Sequence, residues 1–398
     1  MMCWKLGVLL LALCCAEAAA ATTTLTLDQA LAMARERSPV LQAARQDADR
    51  AVGAARGALL PNPVVSGGLV ARDTVDGLEP ELGLAQPLPL VERLAERGAE
   101  RARAAASADW AADAERQVLA QVSADFLRVR HADARTLVAE QAAVLAGKVL
   151  AATRSRVDVG EASAMKLSAA TLAQARAGAA LASERASQAE ALGALRISLG
   201  VEPATELEPV GPILSPERYA PLLSGSAPTR ADLAALAEQL TAAQAEQRFA
   251  RAQALPELGV WAQAAQEEGQ SVTAAGLSLE LPLFDRAQGE RAVAKVRLQQ
   301  AETALRARHG AAKVQLDTAI AVYRLRLEAF ELLASVAVPR AQEQSAAASR
   351  AYELGELPLP ELLLVRGQMS LTLVQHADAE LDAALAGVRL LEVAGWTP

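Results

Sequence analysis

LVERLAERGAERARAAASADWAADAERQVLAQ, residues 90–121, opens a stretch without proline between Pro89 and Pro203. The stretch is dense in Ala, Leu, Glu, Gln and Arg, the strongest helix formers. Only Asp158-Val159-Gly160 offers a place to turn. The reading is one very long helix, a reversal at Gly160, and a second long helix returning. From Val91 to Val157, at ~1.5 Å per residue, the outward arm spans about 100 Å. A compact core has no use for an arm of that length, since globular helices average ~11–12 residues.

Composition points the same way. Apolar residues make up 52% of the chain and aromatics only 3%, so alanine carries the apolar fraction. Compact cores draw much of their buried area from aromatic rings. Alanine instead suits helices that pack closely. The formal charge of −8 gives no basic face for nucleic acid.

Lys5, the apolar run Leu6 to Leu13 and the small residues Ala16-Glu17-Ala18 have the order of a bacterial signal peptide, assigned to residues 1–20. All three cysteines (Cys3, Cys14, Cys15) fall inside it, so disulfides and thiolate metal sites are not expected afterwards. Lipid attachment at Cys14 or Cys15 stays open. No later run of eighteen apolar residues predicts a membrane helix. A chain of this kind crosses a membrane only as a closed barrel.

Thr26 or Asp28 is placed to cap a first helix, which breaks at Ser38-Pro39 and then runs to about Leu60, before Pro61 and Pro63. Two strands follow, Val64 to Arg72 and Leu78 to Leu88. In the second, Leu82, Leu84, Gln86 and Leu88 alternate with Glu81, Gly83 and Ala85. Asp73 to Gly77 forms the exposed turn. Each strand has the ~9–11 residues needed to cross hydrocarbon at a tilt. After a Pro-rich connector the same order returns. A helix spans Thr229 to Leu255, strands cover Leu258 to Ala265 and Ser271 to Leu281, and two long helices meet near Tyr352-Glu-Leu-Gly355.

Pro61 to Pro256, Pro87 to Pro282 and Gly160 to Gly355 are each 195 positions apart. A shared offset at three landmarks predicts an internal duplication. The units are a first repeat at 21–204, a connector at 205–228 and a second repeat at 229–398. Within the helices, Leu316, Ile320, Tyr323, Leu327 and Phe330 keep coiled-coil spacing, as do Leu119, Val122, Phe126 and Val129. Leu371, Val374, Leu381, Leu385 and Val388 do the same around an interrupting Asp378. Pro339 is expected to kink its helix.

Several segments together carry a resemblance. They are Leu27-Asp-Gln-Ala-Leu31 with Ser38-Pro-Val-Leu41, Leu60-Pro61 before strands, Gln86-Pro-Leu88, and the later echoes Leu255-Pro256 and Leu281-Pro-Leu-Phe284. Pro339 with Tyr352-Glu-Leu-Gly355-Glu356 completes the set. In this order and duplication the chain resembles the TolC-type outer-membrane efflux proteins, and its short length is similar to their cation-efflux branch. The resemblance implies a mostly α fold with a small β part: long antiparallel coiled-coil hairpins plus four transmembrane strands per chain. It further implies a homotrimeric α/β-barrel in the outer membrane of a Gram-negative-type bacterium, extending into the periplasm. A periplasmic adaptor and an inner-membrane pump are its implied partners. The physics agrees, because four strands cannot close a barrel and open edges are not tolerated in lipid. Only Trp261 and Phe284 stand where an aromatic girdle would be.

No catalytic constellation is expected. His131, His309 and His376 lie on separate helical stretches without a second ligand at helical spacing, so they are read as structural, and neither metal nor cofactor is assigned. Gly67-Gly68 lacks the rest of a phosphate loop, and no nucleophile elbow occurs. Gly160 and Gly355 are assigned to the hairpin turns as structural residues. The acidic residues Asp158, Glu161, Glu353, Glu356 and Glu361 cluster there. Repeated around a three-fold axis they would form carboxylate rings that favour cations at a tunnel mouth; the other reading is ordinary solvated turns. The expected function is a passive exit duct of a tripartite efflux or type I secretion system for small molecules or metal cations, not an enzyme. The alternative is a periplasmic coiled-coil scaffold or adaptor without a barrel.

Overall fold

The computed structural model describes residues 23–71, 78–203, 205–224, 230–267 and 270–396. The signal peptide, lipid attachment at Cys14 or Cys15, and the turn at 73–77 lie outside the described residues. The chain opens with β1 (Thr23–Leu25) and α1 (Leu27–Arg37). Thr26 caps α1 in a reciprocal box with Gln29, satisfying two orphan donors at the helix start. Ser38 then leaves helical geometry and Pro39 begins α2 (Pro39–Ala54). This helix ends earlier than the expected Leu60. Ala55 and Gly57 close it with turn hydrogen bonds, and the chain is already irregular when it meets Pro61.

β2 (Val64–Ala71) and β3 (Leu78–Leu88) form the first hairpin. α3 (Leu90–Asp158) then runs unbroken for 69 residues, about 100 Å. One window in it reaches a mean hydropathy of 1.2, as apolar as a weak membrane span. Its apolar content is largely alanine, and the helix packs along its length on neighbouring helices. After the turn at Gly160, α4 (Ala164–Leu199) returns and ends on Gly200 in the left-handed conformation.

The connector is more ordered than a Pro-rich linker suggests. It holds β4 (Leu207–Pro209), which pairs parallel with β1, and two short 3-10 turns. These three-residue strands escaped the sequence because neither is long enough to show a period. α5 (Ala231–Ala252), β5 (Glu257–Glu267) and β6 (Gln270–Glu280) follow, then α6 (Gln288–Leu332). A π-helical turn, Leu333–Ala337, leads directly into α7 (Val338–Glu353). Pro339 therefore does not end the arm. It lacks an N–H and would crowd the carbonyl four residues back, and the wider π turn just before it relieves both problems. The reversal at Gly355 leads to α8 (Leu359–Ala394).

Alanine dominates the buried seams between helices, with leucine and few rings. One core joins Leu25 and Leu31 to Leu119, Val122, Phe126, Val129, Leu195 and Leu199. Another packs Tyr219 edge-on against Tyr323, their ring centroids 5.3 Å apart, beneath Leu390 and Leu391. A third sets Ala120 and Leu127 of α3 against Ala384 and Val388 of α8, binding one half of the chain to the other. Near the reversals Val149 and Ala170 meet Ala348, Leu359 and Leu362.

Candidate functional site

Three places have the geometry of function: the sheet, the hairpin tips and the buried charges between the arms. The sheet has the order β2-β3-β5-β6, all antiparallel. Its register, with the two-residue strand period, puts the leucines of the four strands on one face and their glutamates on the other. One face carries Val65, Leu69, Leu82, Leu84, Leu258, Val260, Leu277 and Leu279, every one exposed. The opposite face carries Ser66, Glu81, Gln263, Ser278 and Glu280, with Gln263 donating to Glu81. Trp261 also lies on this second face, its indole against the space where a Cβ on Gly276 would sit. It is therefore not part of an outward girdle. Among the described residues β2 and β6 each have a partner on one side only, so two rows of backbone donors and acceptors are open.

At the far end of the arms the two reversals lie side by side. Gly160 and Gly355 adopt φ of 78° and 79°, the left-handed region that a side chain resists. Asp158, Glu161, Glu353, Glu356 and Glu361 are all exposed. Glu161 and Glu356 line a shared cleft with Arg156, Lys166 and Tyr352, so acidic groups at the tips have basic neighbours. The Arg156 guanidinium sits 5.3 Å from the centre of the Tyr352 ring, joining one hairpin to the other.

The histidines do not meet. His131 Nε2 lies 2.7 Å from Asp378, and Arg135 donates to the same carboxylate at 3.1 Å and to Glu184 at 2.6 Å. His376 sits beside the Phe330 ring. Among the described residues no group of three His, Cys, Asp or Glu side chains could hold a metal. Asp378 thus interrupts its heptad for a reason. An acidic residue on a seam needs a cation from the facing helix, and α3 supplies Arg135. That interruption was the visible signal for the pair.

Two further charge clusters had no sequence signal. Arg116, 4% exposed, binds Asp113 at 2.6 Å and the Glu392 carbonyl at 2.6 Å, tying α3 to α8. Asp232, 1% exposed, accepts from Arg230 at 2.8 Å and Arg308 at 2.6 Å, while Arg230 also donates to the Val393 carbonyl. Burial alone would raise the Asp232 pKa, but the hydrogen bonds and charges of Arg230 and Arg308 outweigh it and hold it at about 2.

Residues 30–201 match the outer membrane efflux protein family. No curated protein matches the sequence. Solved structures match the fold over nearly the whole length. A membrane protein from Pseudomonas aeruginosa is 20% identical, covering 93% of this chain and 90% of its own at a TM-score of 0.78. The CmeC outer membrane channel of Campylobacter jejuni is 17% identical, with 93% and 85% covered and a TM-score of 0.77. The outer membrane protein VceC of Vibrio cholerae is 19% identical, with 93% and 96% covered and a TM-score of 0.76. The first half of the chain thus matches the outer membrane efflux protein family, and the whole chain has the fold of these outer-membrane channel structures.

Proposed function

We propose that three copies of this chain close their sheets into one twelve-stranded barrel and their arms into a hollow periplasmic cylinder. The chain is then one third of the outer-membrane exit duct of an efflux system. The observation that carries this reading is the sheet: one exposed apolar face, one polar face, and two open edges. Lipid suits the first, a water-filled lumen the second, and hydrocarbon forbids the third unless another copy completes the ring. The two repeats, 21–204 and 229–398 joined by 205–228, then each supply one strand pair and one helical hairpin to the wall. Energy for export comes from elsewhere, through an adaptor and an inner-membrane pump meeting the periplasmic end.

Extraction tests the reading. The protein is expected to leave membranes only with detergent and to run as a trimer that heating dissociates. Release by osmotic shock as a monomer would overturn it.

At the tips we infer that Asp158, Glu161, Glu353, Glu356 and Glu361 give the tunnel mouth a preference for cations. Their exposure beside the glycine reversals supports this, and three-fold repetition multiplies each charge. In a planar bilayer, Glu356→Gln with Glu361→Gln is expected to lower cation-over-anion selectivity severalfold, with conductance retained. Unchanged selectivity would remove the charged mouth and leave the duct standing.

A further inference from the structure

The sheet register also fixes how one protomer meets the next, given the trimeric duct. Val65, Leu84, Ala262 and Ala275 lie in one hydrogen-bonded row across the sheet. Continued flat, that row would carry Ala275 of one copy to Val65 of the next. Strands in a closed barrel are tilted, so the row must instead climb along the neighbour's β2. Two conditions limit the climb. It must be an even number of residues, because the apolar residues of β6 (Ala275, Leu277, Leu279) and of β2 (Val65, Leu69) must share the outer face. It must also give a tilt near the ~35–45° of membrane barrels.

With strands ~4.8 Å apart and ~3.4 Å per residue, a climb of about two residues per protomer gives only ~20°, about four gives ~35°, and about six gives ~47°. Pairing then chooses between the last two. The four-residue climb gives every residue of β2, Val64 to Ala71, a partner in β6. The six-residue climb leaves Val64 and Val65 without backbone partners in β6, and hydrocarbon does not tolerate unmet backbone groups in a barrel wall. A climb in the opposite sense leaves most of β2 unpaired.

We propose that β6 of each protomer pairs antiparallel with β2 of the next copy, with Leu279 opposite Val65, Leu277 opposite Gly67 and Ala275 opposite Leu69. Side-chain sizes fit this register. Leu277, 76% exposed in the protomer, lies across from a glycine, and Leu69, 64% exposed, lies across from an alanine. On the polar face Ser278 meets Ser66 and Gly276 meets Gly68. No charged residue on either edge is placed against a like charge in the paired segment.

Cysteine pairs test the register. Beyond residue 15 the sequence has no cysteine. Directly opposed side chains place Cβ atoms ~4.5–5.5 Å apart and diagonal ones ~7–8 Å, whereas a disulfide needs about 3.8 Å. Oxidised in outer membranes, V65C/L279C is expected to give covalent dimers and trimers at least ~5-fold more efficiently than V65C/L277C or G67C/L279C. A protein of trimer mass that cross-links best through either of those other pairs, or through none, overturns the register and leaves the duct intact. A protein of monomer mass overturns the duct itself.

Discussion

Asp232→Ala should destabilise the assembled protein by about 3–5 kcal/mol, the cost of removing one partner from a buried ion pair. The loss comes less from the missing bonds than from what remains. Arg230 is 7% exposed, and without Asp232 its guanidinium keeps, among the described residues, the Val393 carbonyl and Gln315. The cluster sits where α5 begins and holds it to α6 through Arg308 and to the end of α8 through Arg230. The effect should therefore appear as earlier loss of helical circular dichroism across the whole chain in urea, with the midpoint lowered at pH 7. Arg230→Met with Asp232→Leu should recover much of it, because a packed apolar pair leaves no stranded charge. A single variant as stable as the parent would show that the cluster is solvated in the assembly.

The same carboxylate sets an acid limit. Its folded pKa of about 2 lies below the ordinary carboxylate value, so the native state binds its proton less readily than the unfolded chain. The contribution, about 2–3 kcal/mol, is present above pH ~4 and is lost as pH falls toward about 2. The parent should lose stability across that window, and Asp232→Ala should lose less.

Leu82→Arg with Leu277→Arg should abolish the heat-dissociable trimer in outer membranes. Both leucines lie on the apolar face, 59% and 76% exposed in the protomer. An arginine facing lipid near the midplane costs about 2–4 kcal/mol, and three-fold symmetry repeats each one. Gln263→Arg is the control. It sits on the opposite face, beside Glu81, and should assemble near parental levels. Equal loss in both variants would mean that the two faces of the sheet do not divide lipid from water.

Where the sequence was legible, a period or a special backbone angle lay behind it. The strand pairs alternate every second residue, the arms avoid proline over their whole first stretch, and Gly160 and Gly355 stand where the backbone turns left-handed. What escaped was either too short or too distant. β1 and β4 are three residues each and exist only because they pair with one another. Asp232 and Arg308 are far apart in sequence, and nothing local marks either as a partner. Asp378 lies between these cases: its place in the heptad showed that something was needed, but not that Arg135 would supply it.

The π turn before Pro339 has a last consequence, for angular phase. Such a turn holds one residue more than an α turn, and one residue is worth ~100° of rotation about the helix axis. Everything beyond Ala337 is swung round by that amount. Ser345 and Ala348 are buried and Tyr352 comes over Arg156 in the rotated setting, not in the one that α6 would have continued. The extra residue thus works as a spline. It lets the lower half of the second arm mesh with the first hairpin while the upper half keeps its own alignment on Tyr219 and Leu390.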